Sequence, residues 1–460
     1  VLVFAPGAMV GTNVPSAGRW AVAAKSPLTG FLGSGNGGGF WGLALKWAGF
    51  DALVIKGRAN APCYLYVRDG QIEIRPANEL WGLDTRDTVS AIRTIHSDPR
   101  LRVATIGKPG ERMVPVANII AEERAAGRGG LGAVMGSKQL KAIAVRGDRG
   151  VTVADPQKLN ELVVETIQEL RSQPYFAAYR KYGSSGAVRN RYGALGGLLA
   201  YNGLKGVYPY LDEVNGEVLE RHYIARSHSC AACAAGCLKV FNVADGPYSG
   251  TWGEGPQTAT MIGFGARCMM TNLAAVLRAH ALVNQHGLDL ISVEGIIAFA
   301  IECFQKGIIS TTDTGGLVLS WEDDDMVLRL IELMGRQEGF GTLLGLGVRE
   351  LARRWGPEAE LGAMHVKGME ITAVDPRAFP AWALMYAVSS RGADHMRAYC
   401  LTEFGEFSQD IVTRMAGTPA ANERFGVEGK GKLVAYFEDV RALSDSLGLC
   451  KFLGRGNYFF

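Results

Sequence analysis

Four of the eight cysteines form one pattern, Cys230-x-x-Cys233-x-x-x-Cys237 with Cys450 far downstream. If the four act together, the end of the chain must fold back onto its middle. A tight triplet plus one remote ligand suits an iron–sulfur cubane, whose irons each take one thiolate at the corners of a compact cluster. Structural zinc is the competitor, although such sites more often use two two-residue spacings. Unrelated reduced core thiols are the third reading. The spacers are Ala231-Ala232 and Ala234-Ala235-Gly236, small residues that let a backbone wrap a bulky group. Cys63, Cys268, Cys303 and Cys400 lie in apolar or mixed surroundings, where cysteine behaves as a small hydrophobe.

The chain of 460 residues is 48% hydrophobic and 20% charged, enough for a large core and, by length, two to four domains of roughly 100–200 residues each. It carries 60 glycines, nearly twice the usual share of about 7%, without a collagen-like period. They must serve turns or close approach of backbone to something else. The net charge is +3, from 48 basic and 45 acidic residues with no block of like charge, so no nucleic-acid partner and no polybasic membrane anchor is expected. No run approaches the ~18 apolar residues of a membrane span, and no leader pattern opens the chain, which reads as cytoplasmic. With thiols kept reduced there, no disulfide is expected. The opening Val1-Leu2-Val3-Phe4 is already a strand in progress, and both chain ends are expected to be truncated.

The pattern predicts an α+β fold. Residues 1–153 are rich in glycine and β-branched residues, with strand signals at Ala52-Leu53-Val54-Ile55 and Cys63-Tyr64-Leu65-Tyr66-Val67, and read as a β-rich domain. Apolar residues then recur at helical spacing over 160–171, 273–286, 293–306, 326–336 and 343–354, which predicts a mainly α domain over 154–363. Turn signals at Lys367-Gly368 and Asp375-Pro376 open a second mainly α domain over 364–460. One short motif occurs twice, as Asn284-Gln285-His286-Gly287-Leu288-Asp289 and as Asp445-Ser446-Leu447-Gly448-Leu449-Cys450.

The segment Gly11-Thr12-Asn13-Val14-Pro15-Ser16-Ala17-Gly18-Arg19 and the run Gly33-Ser34-Gly35-Asn36-Gly37-Gly38-Gly39 offer many backbone amides and an arginine, suited to a phosphate or pterin group. A bland glycine-rich turn is equally compatible with this loop alone. Neither a Rossmann nor a P-loop pattern is well placed.

These loops, Lys46-Trp47-Ala48-Gly49-Phe50-Asp51, Gly127-Arg128-Gly129-Gly130-Leu131-Gly132, the cysteine triplet, Lys367-Gly368-Met369-Glu370 and Arg391-Gly392-Ala393-Asp394-His395-Met396-Arg397-Ala398-Tyr399 together resemble the aldehyde ferredoxin oxidoreductase family of tungsten bis-pterin enzymes. The resemblance covers essentially the whole chain. It implies a tungsten bis-molybdopterin, one 4Fe–4S cluster on Cys230, Cys233, Cys237 and Cys450, and magnesium bridging the pterin phosphates. Arg19, Asn36, Gly37 and Gly38, with the Ala126 carbonyl, would serve the phosphates and the magnesium. That division suits forked guanidinium donors for phosphate and neutral oxygens for the cation. Asn284, Gly287, Leu288 and Asp289 would belong to one pterin, and Asp445, Gly448 and Leu449 to the other. The resemblance further implies oxidation of an aldehyde to a carboxylic acid, with electrons passing to ferredoxin or another low-potential acceptor, and a homodimer.

Two positions depart from the family pattern. Asn284 stands where an aspartate is usual, and the family's acidic run after Gly-Pro reads Gly255-Pro256-Gln257-Thr258-Ala259. His395 is then the expected proton-handling residue, alone or with Glu254; alternatively Gln257 hydrogen-bonds the substrate without exchanging a proton. His96, His222, His228, His280 and His286 read as structural, and His365 has no assigned role. Two alternatives accompany this reading: a benzoyl-coenzyme A reductase-like tungsten subunit, for which Cys268 would be the metal ligand, and a cofactor-bearing electron-transfer subunit without its own substrate chemistry.

Overall fold

The computed structural model describes residues 1–405 and 407–453. Strands β1 (Leu2–Pro6), β2 (Trp20–Lys25), β3 (Leu32–Gly37) and β4 (Leu53–Ile55) form an antiparallel sheet in the order β3-β2-β1-β4. Alternate residues of β1 and β2 turn inward, among them Leu2, Phe4, Trp20 and Val22, as a half-buried sheet requires. Helix Trp41–Trp47 closes this layer, and the Trp20 and Trp41 rings meet at 4.5 Å.

A second sheet contains β5 (Cys63–Arg68), β6 (Gln71–Pro76), β7 (Arg102–Thr105), β8 (Ile120–Ala121), β9 (Arg124–Ala125) and β10 (Leu140–Arg146), in the order β6-β5-β10-β7-β8-β9. Its β9-β8-β7-β10 portion repeats the first sheet strand for strand. Both units have antiparallel neighbours, and both carry a seven-residue helix before the last strand, Trp41–Trp47 in one and Leu131–Ser137 in the other. The β-rich reading of this region holds, while the duplication within it is a structural finding. One short trace of it stands in the sequence, Gly7 with Val14-Pro15-Ser16-Ala17 and Gly107 with Val114-Pro115-Val116-Ala117 at equal spacing, while the side chains of the strands differ.

From Pro156 onward helices dominate. Of the segments with helical spacing, 273–286 is helix Leu273–His286, and 293–306 and 326–336 lie almost wholly within helices Leu290–Gln305 and Asp324–Arg336. The expected helix over 343–354 is instead two, Gly339–Leu344 and Val348–Trp355. The break contains Gly347, whose φ of +87° lies in the region glycine alone visits freely. Two small sheets complete the chain: β11 (Ile224–His228), β12 (Leu238–Asn242) and β13 (Trp252–Glu254), and the hairpin β14 (His365–Val366)/β15 (Met369–Glu370). Among the described residues no helix is long and apolar enough to cross a membrane.

The twice-used motif is the end of a helix in both cases. Helices Leu273–His286 and Lys430–Leu447 stop at Gly287 and Gly448, both left-handed. In both, the glycine N–H returns to the carbonyl three residues back, at Asn284 or Asp445, and the following leucine N–H returns to Val283 or Ser444, a helix-stop pattern that satisfies the last carbonyls. Each leucine then bridges the β-rich region at matching places in the duplication, Ala117↔Leu288 and Ala17↔Leu449. The backbones touch closely there. A Cβ added at Gly107 would lie 2.1 Å from the His286 carbonyl oxygen, and one at Gly7 would lie 2.1 Å from the Gly448 nitrogen. Gly107→Ala is therefore expected to cost ~1–3 kcal/mol by overpacking against backbone, seen as a lowered thermal midpoint.

Candidate functional site

A cavity of about 440 Å³ lies between the duplicated sheets and the helices, and its wall brings together most of the residues singled out in the sequence. Arg19, Asn36 and Gly38, then Asn284, Asp289 and Asp445, then all four cysteines of the pattern, and finally Glu254, Gln257 and His395 all line it. Gly37, Ala126, Gly287, Leu288, Gly448 and Leu449 stand behind the wall and shape it. Gly37 leaves room for the Trp20 ring, which a Cβ there would meet at 2.5 Å, and a Cβ at Gly35 would lie 2.5 Å from the Ala126 carbonyl oxygen. Glycine is required at these points because backbone and ring approach closer than a side chain allows.

The two helix ends present their polar side chains differently. Asp445 accepts from Asn36 Nδ2 at 3.0 Å and from Lys451 Nζ at 2.8 Å. Asn284, one turn beyond His280 on the same helix face, has its Nδ2 3.2 Å from His280 Nε2. His280 itself contacts Thr260 through Nδ1 and the Glu254 carbonyl through Nε2, at 3.0 and 2.9 Å. Burial holds its pKa below the usual histidine value, so the ring is neutral. A charged pair thus sits at one half-site and a neutral one at the other, which matches the aspartate at 445 and the asparagine at 284. Asp289 is paired with Arg128 at 3.2 Å and accepts from Ser292 at 2.7 Å.

The cysteine triplet occupies the loop between β11 and β12. Ala232 and Gly236 take positive φ within it, and Ala231 packs so close to Gly18 that a Cβ there would fall 2.8 Å from its carbonyl oxygen. Small spacers are therefore needed for contact with the β-rich region as well as for turning the loop. Burial pushes the thiols of Cys233 and Cys237 up, the latter to about 12, and the neighbouring cysteines add to the effect. Burial also opposes ionisation of Cys450, but Arg19, donating from Nη2 at 3.3 Å, brings that thiol below its ordinary value. Arg124 Nη1 donates to Cys230 Sγ at 3.0 Å. Four mutually coupled thiols and two guanidinium groups are a donor set suited to an anionic iron–sulfur cluster. Among the described residues no group of three or more His, Cys, Asp or Glu side chains is placed to hold a metal ion.

His395 lines the cavity beside Trp382, its ring nearly parallel to the indole (17°, centroids 6.3 Å apart). Its Nδ1 is buried without a hydrogen-bond partner, 3.9 Å from Asp394 Oδ1. A buried polar atom left open in a cavity wall is what a site completed by a bound group looks like. Burial lowers the His395 pKa to about 4, against the opposing pull of Asp394 and with the help of Arg128 and Arg391. Asp394 is itself anchored by Arg391. Gln257 Oε1 accepts from the Ser184 hydroxyl at 2.6 Å, so its amide N–H₂ is left for the cavity. Glu254 is ion-paired with Arg124, Oε2 lying 2.9 Å from Nη2 without an aligned hydrogen bond, and its Oε1 meets His228 Nδ1. Cys268 is not part of the wall: it is buried in the core and its thiol donates to the Glu294 carbonyl at 3.2 Å.

Arg124, Arg128, His280, Trp382 and Lys451 also line the cavity, and His228 backs it through Glu254; the sequence alone assigns none of them a role there. Only His280 left a signal, its four-residue offset from Asn284 on one helix.

Comparison with known proteins decides the family. The model for the aldehyde ferredoxin oxidoreductase N-terminal domain matches residues 1–147, and that for domains 2 and 3 of the same family matches residues 161–459. The chain belongs to the aldehyde ferredoxin oxidoreductase family. It is 38% identical to the tungsten-containing aldehyde ferredoxin oxidoreductase of Pyrococcus furiosus, over 99% of this chain and 74% of that protein. It is 30% identical to the WOR-like subunit of an aliphatic sulfonate oxidoreductase from the same organism, over 79% of this chain and 61% of that one. Among solved structures, the active-site complex BamBC of benzoyl-coenzyme A reductase with 1,5-dienoyl-CoA superposes with a TM-score of 0.80 at 26% identity, covering 98% of this chain and 73% of its counterpart. The chain is thus an oxidoreductase of a tungsten-enzyme family whose members act on different substrates.

Proposed function

We propose that the cavity holds a tungsten bis-pterin with a 4Fe–4S cluster beside it, and that the protein oxidises an aldehyde to a carboxylic acid with electrons leaving to ferredoxin. The observation that carries this reading is the meeting, on one cavity wall, of both helix-end motifs, the four cysteines and a histidine with a free ring nitrogen. When bound, the tungsten pterin supplies two-electron oxidation and the cluster a one-electron relay.

In this reading the chain's own residues bind, orient and move protons. Arg19 supplies a fixed positive charge for the pterin phosphates, while Asn36 and the Ala126 carbonyl supply neutral oxygens for magnesium. Asn284, Asp289 and Asp445 hold the pterin rings by their polar edges. Cys230, Cys233, Cys237 and Cys450 hold the cluster, and Cys450, which follows Leu449 directly, ties it to one pterin half-site. Converting an aldehyde and water to a carboxylic acid releases two electrons and two protons. His395 is neutral near pH 7 and takes a proton at Nδ1. The adjoining Asp394 carboxylate stabilises the imidazolium, and Trp382 fixes the ring plane. Gln257 donates from Nε2 to the substrate oxygen. Glu254 is ion-paired with Arg124 and meets His228 through its other oxygen, so this reading assigns the proton transfer to His395.

The test is anaerobic assay of the holoenzyme with a panel of aldehydes and a viologen dye. Aldehyde-dependent reduction is expected, with two viologens reduced per acid formed. A tungsten-replete preparation inert toward every aldehyde would overturn the substrate assignment. Gln257→Ala is expected to raise KM about tenfold with kcat nearly unchanged, the loss of roughly one hydrogen bond made equally to substrate and transition state.

A further inference from the structure

Arg124 and Glu254 form a seat beside one cluster cysteine. Arg124 leaves β9, and Gly39 makes room for its stem, since a Cβ there would lie 2.9 Å from Arg124 Cδ. Its Nη1 reaches Cys230 Sγ at 3.0 Å and its Nη2 lies 2.9 Å from Glu254 Oε2. The two side chains are only 9% and 12% exposed, so solvent and salt screen them weakly. Glu254 closes β13, held in register against Val240 of β12, and its other oxygen meets His228. The order from the cysteine outward is thiol, guanidinium, carboxylate, imidazole.

Resting on the proposed 4Fe–4S cluster, we propose that Arg124 and Glu254 are opposed positioning residues that set the cluster's reduction potential. Reducing the cluster by one electron adds one negative charge to it. A guanidinium hydrogen-bonded to a ligand sulfur favours the more negative state and raises the potential, as hydrogen bonds to cluster sulfurs and nearby charge generally do. The Glu254 carboxylate lies behind the guanidinium, offsets part of its charge and lowers the potential. Glu254 therefore acts through Arg124 on electron transfer and takes no part in moving protons for the substrate.

The test is an EPR-monitored redox titration of the holoenzyme and of Arg124→Gln and Glu254→Gln, with iron counted in each. Arg124→Gln is expected to lower the potential by about 59 mV, a tenfold change in a one-electron equilibrium, and Glu254→Gln to raise it. A residue that merely held the loop together would not produce shifts of opposite sign. Unchanged potentials, or shifts in the same direction, in variants with a full cluster would overturn the proposal and leave the cluster assignment standing. A parent protein with no reducible cluster would overturn both. If Arg124→Gln loses iron, Glu254→Gln decides alone: a raised potential at full iron supports the proposal, and an unchanged or lowered one contradicts it.

Discussion

Replacing His395 by alanine is expected to lower kcat for aldehyde oxidation by roughly 10²–10⁴-fold, the usual worth of a positioned proton acceptor, while tungsten and iron stay at parent levels. The expectation follows from three properties of one ring. It is buried against Trp382, its Nδ1 has no partner, and its pKa is lowered to about 4. Trp382 and Asp394, which define its place, remain in the variant, so the cavity should keep its shape. The pH dependence has a definite sign. Below an ordinary histidine value of about 6.5, the unfolded chain binds a proton that the folded ring refuses until about pH 4. Stability from this group is therefore lost progressively as pH falls through that window, and His395→Ala removes this part of the acid sensitivity. In the parent, kcat/KM falls on approach to pH 4 as Nδ1 fills. An alanine variant with full metal content and undiminished kcat would exclude His395 from proton transfer.

Cys233→Ser should remove most of the iron. Cys233 and Cys237 pack beside Leu170, Phe176, Tyr179 and Leu453, and burial first, then the neighbouring sulfurs, makes their thiolates costly. Metal binding is what offsets that cost, since only the deprotonated thiol is a ligand. A serine hydroxyl does not substitute at such a position. Iron and acid-labile sulfide per chain should drop together, and the thermal midpoint should fall because the loop between β11 and β12 loses its cross-link. Unchanged iron would remove Cys233 from the ligand set.

The residues legible in the sequence were those whose chemistry is local. The triplet spacing and the repeated Gly-Leu motif each sit within a few residues, and the structure places on the cavity the triplet and the motif's end residues Asn284, Asp289, Asp445 and Cys450. Helix Leu273–His286 could be read to its ends because Asn272 caps it and Gly287 stops it. The false helix over 343–354 shows the limit, because apolar spacing carries on across Gly345-Leu346-Gly347 although the backbone does not. The duplication is only faintly legible: its trace is Val14-Pro15-Ser16-Ala17 against Val114-Pro115-Val116-Ala117. Elsewhere the side chains differ: Trp41 opens the helix of one unit where Leu131 opens that of the other, and both sit in one shared core. Long-range partners leave no trace in spacing: Arg124 meets a cysteine 106 residues away, and Arg128 reaches across to Asp289 and the Ala393 carbonyl. Nothing in the sequence around Glu254 reveals its ion pair with Arg124 or its contact with His228.

The central claim is that this one cavity houses a tungsten pterin and a cubane together. The most direct measurement is a metal count on anaerobically purified protein, combined with low-temperature EPR of the reduced sample. About one tungsten and about four irons per chain, with the signal of a reduced cluster, is the predicted result. Zinc in place of iron, with no tungsten and no reducible centre, would contradict it and make Cys230, Cys233, Cys237 and Cys450 a structural metal site.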